Sequence, residues 1–178
     1  MNMNKLEILS IILTNRCNLK CVYCGRNENK DNECIKRELS NSKWLEIFKD
    51  AKDIGLKKVN MTGGEIFCRS DSIELIKDTI NMGLNVSIET NGTMITESQI
   101  KELSQYKDNL SMSISLDGIT SETNNLTRGN GSFEKTFNTI KKDVLTSLNN
   151  DEFISALENI SDEYNDGTVN VKDSLNEE

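Results

Sequence analysis

Apolar positions along this chain switch repeatedly between a two-residue and a 3.6-residue period. Residues 6–13, LEILSIIL, form a short apolar run that predicts a buried strand, and a polar, cysteine-bearing loop follows to about residue 40. Trp44, Ile47, Phe48, Ala51 and Ile54 then recur at helical spacing, with Gly55 as the C-terminal stop. KKVNMT at 57–62 predicts a second strand, closed by Gly63-Gly64. A helix over about 71–82 turns Ile73, Ile76 and Ile80 inward. A third strand, LNVSIET at 84–90, ends in an Asn91-Gly92 turn. Thr96 and Gln99 form a capping box for a third helix with Ile100 and Leu103 inward. LSMSISLD at 110–117 is a fourth strand. Beyond a Gly- and Asn-rich loop, Phe133, Phe137, Ile140, Val144 and Leu148 mark a fourth helix. Four β–loop–α units in succession predict an α/β fold with parallel strands.

The pattern changes after Asn149-Asn150. Residues 151–164 align Phe153, Leu157, Ile160 and Tyr164 on one helical face, and a polar, disordered stretch is expected behind them. The chain therefore divides into a core over 1–148 and an acidic helix with a tail over 149–178. Charge follows the same division. Of 21 basic and 29 acidic side chains, residues 143–178 hold one and ten, so the net −8 belongs to the tail and the body is nearly neutral. A neutral body without a basic stripe excludes a nucleic-acid footprint. No apolar run reaches 18 residues, which excludes a membrane-spanning helix. The first residues place Glu7 inside a short apolar run and lack a small-residue cleavage site, so no secretory signal is read there and a cytoplasmic location is expected.

The chain has no histidine, which removes every His-based catalytic triad and every His-ligated metal site. Its five cysteines point instead to thiolate chemistry. Cys17, Cys21 and Cys24 stand in the loop after the first strand, spaced C-x3-C-x2-C. Thiolates ligate iron–sulfur clusters and structural zinc. Three thiolates on a four-iron cubane leave one iron open to a small molecule. Spacing alone leaves two other readings: a closed metal site completed by Cys34 or Cys68, and three thiols packed on one helical face.

TNRCNLKCVYC, followed by Thr62-Gly63-Gly64-Glu65, IETNGT at 88–93 and SISLDG at 113–118 with Arg128-Gly129 behind it, resembles the radical S-adenosylmethionine (radical SAM) superfamily. The resemblance spans roughly residues 8–142, with each motif at the C-terminal end of a strand. It implies a partial TIM-like (β/α) barrel, with about four of the usual six units readable here. It also implies two cofactors, a [4Fe–4S] cluster on Cys17, Cys21 and Cys24 and S-adenosylmethionine on its open iron. Gly63, Gly64 and Glu65 are then expected at the methionyl ammonium, with Tyr23 against the adenine, mainly through its backbone. Ser115 is expected at the ribose or carboxylate, and Arg128 at the carboxylate, which suits a guanidinium fork. Asp117 reads as a turn former beside Gly118, and Cys34 and Cys68 as packing residues.

The implied activity is reductive cleavage of S-adenosylmethionine to a 5′-deoxyadenosyl radical that abstracts a substrate hydrogen. An electron donor such as a flavodoxin or ferredoxin is implied with it. The SLDG…RG-x-G-S-F pattern at 115–133 looks most like the peptide- and protein-maturing (SPASM-type) branch, so a peptide or protein substrate is expected. The first enzyme of molybdenum-cofactor synthesis is similar too, and Arg16 before Cys17 fits it. Two departures stand out: Ile66 follows the GGE motif where the family has proline, and residues 143–178 do not resemble the missing two units. A natural short form, a partner chain that completes the barrel, and an inactive remnant or subunit all remain open.

Overall fold

A computed structural model gives the fold; the structure describes residues 6–26 and 37–147, with side chains to residue 142. Four strands, β1 (Ile8–Thr14), β2 (Lys58–Gly63), β3 (Asn85–Thr90) and β4 (Leu110–Ile114), form one sheet in the order β1-β2-β3-β4. Every neighbouring pair is parallel. Helices α1 (Asn41–Asp53), α2 (Ser72–Asn81) and α3 (Glu97–Leu103) lie between the strands; α4 (Ser121–Arg128) and α5 (Ser132–Ser147) follow β4. This is the α/β arrangement that the alternating periods predict. The expected helix and tail over 149–178 and Cys34 lie outside the described residues.

Local signals explain the element boundaries. The Ser40 side chain accepts from the Lys43 amide and starts α1. At its far end Gly55, at φ 109°, lets Leu56 N–H return to Ala51 O. Ile54 therefore falls just past the helix and is 61% exposed, not inward as its spacing suggested. The capping box of Thr96 and Gln99 is formed, and Ile100 and Leu103 behind it are buried. A second box, from Thr120 and Thr123, starts α4 inside the segment expected to be a loop.

Register sets up two contrasting faces. Ile11, Met61, Ile88 and Met112 sit side by side across the four strands, on the face that the helices cover. Phe48, Leu75, Ile76 and Leu103 pack there to close the core. One residue along each strand, the opposite face carries the row Ser10, Asn60, Ser87 and Ser111. Asn60 Nδ2 donates to Ser10 Oγ at 3.2 Å, and Ser111 Oγ to Ser87 Oγ at 3.0 Å. Ile8 and Ile12 also point to this face and are 56% and 55% exposed. β1 is therefore buried on one side only, a correction to its reading as a buried run. A parallel sheet normally has both faces covered. Here the second face is a hydrogen-bonding surface that continues into the strand ends.

Candidate active site

The chemistry-bearing motifs meet at the C-terminal ends of the four strands, where ligands bind in parallel α/β sheets. Cys17, Cys21 and Cys24, Tyr23, Gly63, Gly64, Ser115 and Arg128 all line one cavity there. Thr62, Glu89, Thr90 and Asn91 complete its wall from β2 and β3. Eight of the nine residues singled out in the sequence thus share one cavity.

The cysteine loop is fixed from three directions. At its start, Glu38 accepts from Thr14 Oγ1 at 2.5 Å and from Asn15 N–H at 3.1 Å, and pairs with Arg16 at 3.3 Å. In its middle, Asn18 Oδ1 accepts from Asn91 Nδ2 at 3.0 Å while its amide donates to Thr93 Oγ1 at 2.7 Å. Toward its end, Val22 N–H donates to Thr127 O at 2.9 Å. All three thiols are partly exposed. Burial pushes the Cys21 thiol above its ordinary 9.0, and nearby Cys17 and Cys24 push the same way, against the pull of Arg128. All three cysteines line the same cavity. Among the described residues, no three Cys, Asp or Glu converge where one metal ion could sit. A cubane does not ask for that, since each thiolate takes a different iron at a different corner. The donor set, all sulfur and facing a cavity, fits a cluster.

Gly63 and Gly64 also admit a close approach by the chain itself. A Cβ on Gly63 would lie 2.5 Å from Thr14 O, and one on Gly64 2.2 Å from Arg16 O. The missing side chains admit the backbone of the cysteine loop, which bonds through Gly64 N–H to Thr14 O at 2.8 Å and Glu65 N–H to Arg16 O at 2.7 Å.

Glu65 is the ninth residue. It is fully buried and does not line the cavity. Its carboxylate accepts from Phe67 N–H at 3.1 Å, Thr90 Oγ1 at 2.7 Å and Asn91 N–H at 2.7 Å. The side chain thus ties the β2 loop to the β3 loop. Burial raises its pKa above the ordinary 4.5, and the three bonds it accepts only partly offset this. A raised folded value means stability from this group is full below about pH 4.5 and falls as pH rises through the folded value. Glu65→Gln is expected to remove that part of the pH slope. At neutral pH it should also cost ~1–3 kcal/mol, because an amide N–H₂ would face a backbone or hydroxyl donor. Urea midpoints of both proteins between pH 4 and 8 check the two effects together.

Asp117 is more than a turn former. Its carboxylate accepts from Arg128 Nη2 at 2.6 Å, Tyr23 Oη at 2.7 Å and Thr127 Oγ1 at 2.9 Å. Burial alone would raise it, but these bonds hold it below the usual 3.8. The Tyr23 phenol is pushed up to about 12, by burial first and by its bond to Asp117 second. Tyr23 therefore faces Asp117 with its hydroxyl while its ring lies 5.9 Å from the Arg128 Cζ. Asn18 and Glu89 were also missed in the sequence; Glu89 accepts from Thr62 Oγ1 at 2.8 Å beside the cysteines.

The radical SAM superfamily model matches residues 11–144, most of the chain and all of this site. The chain belongs to the radical SAM superfamily. The family's cofactors, a [4Fe–4S] cluster and S-adenosylmethionine, come with that membership. Among curated proteins it is 40% identical over 63 residues to the probable GTP 3′,8-cyclase of Methanopyrus kandleri, a match covering 35% of this chain and 20% of that one. It is 35% identical over 65 residues to a GTP 3′,8-cyclase of Clostridium perfringens, covering 36% and 20%. Each match thus spans about a fifth of the curated relative's length.

Solved structures share the fold over a longer stretch. Streptococcus suis SuiB bound to the precursor peptide SuiA superposes with a TM-score of 0.68 at 24% identity, over 79% of this chain and 30% of SuiB. Native anSMEcpe with bound S-adenosylmethionine gives 0.64 at 23% identity, over 80% and 41%. The four parallel strands are thus part of a TIM-like barrel. Among the described residues no helix is long and apolar enough to cross a membrane.

Proposed function

We propose that this chain is a radical SAM enzyme in which Cys17, Cys21 and Cys24 hold the cluster and the opposite cavity wall holds S-adenosylmethionine. The observation that carries this is the convergence of three thiols with Gly63, Gly64, Ser115 and Arg128 on one cavity at the strand ends. The chemistry supplied there is one-electron cleavage of the sulfonium, giving a 5′-deoxyadenosyl radical for hydrogen abstraction from substrate. The chain's own residues bind and orient. The Gly63-Gly64 backbone offers carbonyls to an ammonium, held in place by the Glu65 carboxylate behind it. Arg128 offers a guanidinium to a carboxylate, and Ser115 a hydroxyl to the carboxylate or the ribose. The adenine would lie against Tyr23, mainly through its backbone. A flavodoxin- or ferredoxin-type protein supplies the electron, and the core over 1–148 is the working unit, in the cytoplasm.

The substrate we infer is a peptide or protein, as in the SPASM-type branch. The open face of the sheet supports it, since hydroxyls and amides there can pair with a peptide backbone. The names of the curated relatives favour a second reading, a nucleoside triphosphate. Against it, the strand residues of that face carry one cation, Lys58 at the far end of β2, while the Glu89 carboxylate stands beside the cavity and would repel phosphates.

The test is anaerobic reconstitution with iron and sulfide, followed by EPR of the reduced protein with and without S-adenosylmethionine. A cubane signal that changes on addition, with 5′-deoxyadenosine formed under strong reductant, supports the enzyme. A cluster indifferent to S-adenosylmethionine assigns the chain instead to a remnant, or to a subunit that needs a partner chain to complete the barrel. Saturable GTP binding by the reconstituted protein would favour the nucleotide reading over the peptide one.

A further inference from the structure

Arg128 is held by a carboxylate before any ligand arrives, and its situation is unusual in two respects. Its side chain is 11% exposed, and its Nε is buried with no hydrogen-bond partner among the described residues. Arg128 lines the cavity, so the part of the guanidinium turned toward it can meet a ligand carboxylate there. The guanidinium cannot wander to find it, because Nη2 is bound to Asp117 Oδ1 at 2.6 Å and Cζ rests over the Tyr23 ring.

The second oxygen of Asp117 does something else. Oδ2 accepts from Tyr23 Oη at 2.7 Å and from Thr127 Oγ1 at 2.9 Å. Tyr23 stands immediately before Cys24, and the neighbouring Val22 amide is bonded to Thr127 O. One carboxylate thus joins the cysteine loop to the last turn of α4, where Arg128 sits. Asp117 is itself fixed: its N–H donates to the buried Asn124 Oδ1 at 3.0 Å, and Gly118 behind it leaves no room for a Cβ, which would meet Thr123 Oγ1 at 2.2 Å.

We propose that Asp117 is a positioning residue that sets Arg128 in register with the cysteine loop, so that the cofactor's carboxylate and the cluster's open iron are presented at a fixed separation. This rests on the function proposed above and adds to it the group on which cofactor affinity depends without contact. Asp117 holds Nη2 and thereby fixes the orientation in which the guanidinium borders the cavity. Loss of the negative charge frees the guanidinium to swing, while the three cysteines keep their places through Glu38 and Asn18.

The test uses the reconstituted full chain and titrates S-adenosylmethionine against the EPR change of the reduced cluster. Asp117→Asn keeps the shape and still accepts from Tyr23 and Thr127. It is expected to retain wild-type iron and sulfide while the midpoint of the titration rises roughly tenfold to a hundredfold, the range for loss of a charge-assisted hydrogen bond. Arg128→Ala should weaken binding by at least as much, and Asp117→Asn should add nothing in that background, since both remove one device. Tyr23→Phe, which takes away one bond and leaves the ion pair, should give a smaller rise. A wild-type midpoint in Asp117→Asn, a fully additive double variant, or loss of the cluster itself from Asp117→Asn would each overturn the assignment. If the wild-type signal ignores S-adenosylmethionine, the proposed function fails first and this assignment falls with it.

Discussion

Cys21→Ala is expected to leave the reconstituted protein with little iron and no spectral response to S-adenosylmethionine, while the metal-free chain keeps its stability within roughly 0.5 kcal/mol. The two halves of this result have separate causes. Cys21 is the middle thiol of the three and lines one cavity with Cys17 and Cys24. With it gone, two corners of a cubane lack a protein ligand instead of one, and two thiolates do not retain a cluster against solvent. The fold does not depend on the thiol in the same way. The side chain is only partly buried and stands apart from the hydrophobic core. The bonds that shape the loop here, from Cys24 N–H to Cys21 O and from Val22 N–H to Thr127 O, use backbone atoms that alanine keeps. Cys68→Ala provides the contrast. Its thiol donates to Asn18 Oδ1 at 3.9 Å and does not line the cavity, so its iron content should match the wild type. Iron and sulfide per chain, with a urea melt of each metal-free variant, separate the two effects; an equal loss in Cys68→Ala would make Cys68 a fourth ligand.

How much of this was legible in the sequence depends on the range of the interaction. Periodicity found all four strands and the helices between them, because each has an apolar stripe facing one core. It missed α4, whose sequence SETNNLTR has a single apolar residue, Leu126, and that one is 74% exposed. The signal that was present is local: Thr120 and Thr123 at capping distance, Glu122 in the first turn and Gly129 behind. The cavity residues were legible because their motifs fall at strand ends, which parallel topology brings together whatever the loops do. Side-chain partners were not. Glu65 and Asp117 are both acidic residues beside glycines, and nothing in the letters says that one is fully buried under the β3 loop while the other holds an arginine 11 residues away. Those pairings are set by how the loops cross, and that is decided by register between strands far apart in sequence. The apolar run of β1 misled for a related reason, since it describes a strand with two covered faces, and the described residues cover only one.

Gly64→Ala is the second change with a large expected effect, and it acts on the fold and the site at once. An added Cβ would meet Arg16 O at 2.2 Å, Arg16 C at 2.7 Å and Asn15 O at 3.0 Å, all of them backbone of the cysteine loop. No rotamer change relieves a clash with backbone, so the loop and the β2 end must separate. Separation strains the bonds from Gly64 N–H to Thr14 O and from Glu65 N–H to Arg16 O, and moves Glu65 relative to Asn91. Overpacking together with two weakened hydrogen bonds is expected to cost more than ~3 kcal/mol. Iron uptake should fall in parallel, because the loop that carries Cys17 is the part displaced. Gly25→Ala is the matched control: it follows Cys24, has nothing within 4 Å of its would-be Cβ, and should melt like the wild type. Urea midpoints and iron content of the two variants decide the matter. If Gly64→Ala melted like Gly25→Ala, the tight crossing of the cysteine loop over the β2 end would not be what the double glycine serves, and close approach to a bound ligand would be its remaining purpose.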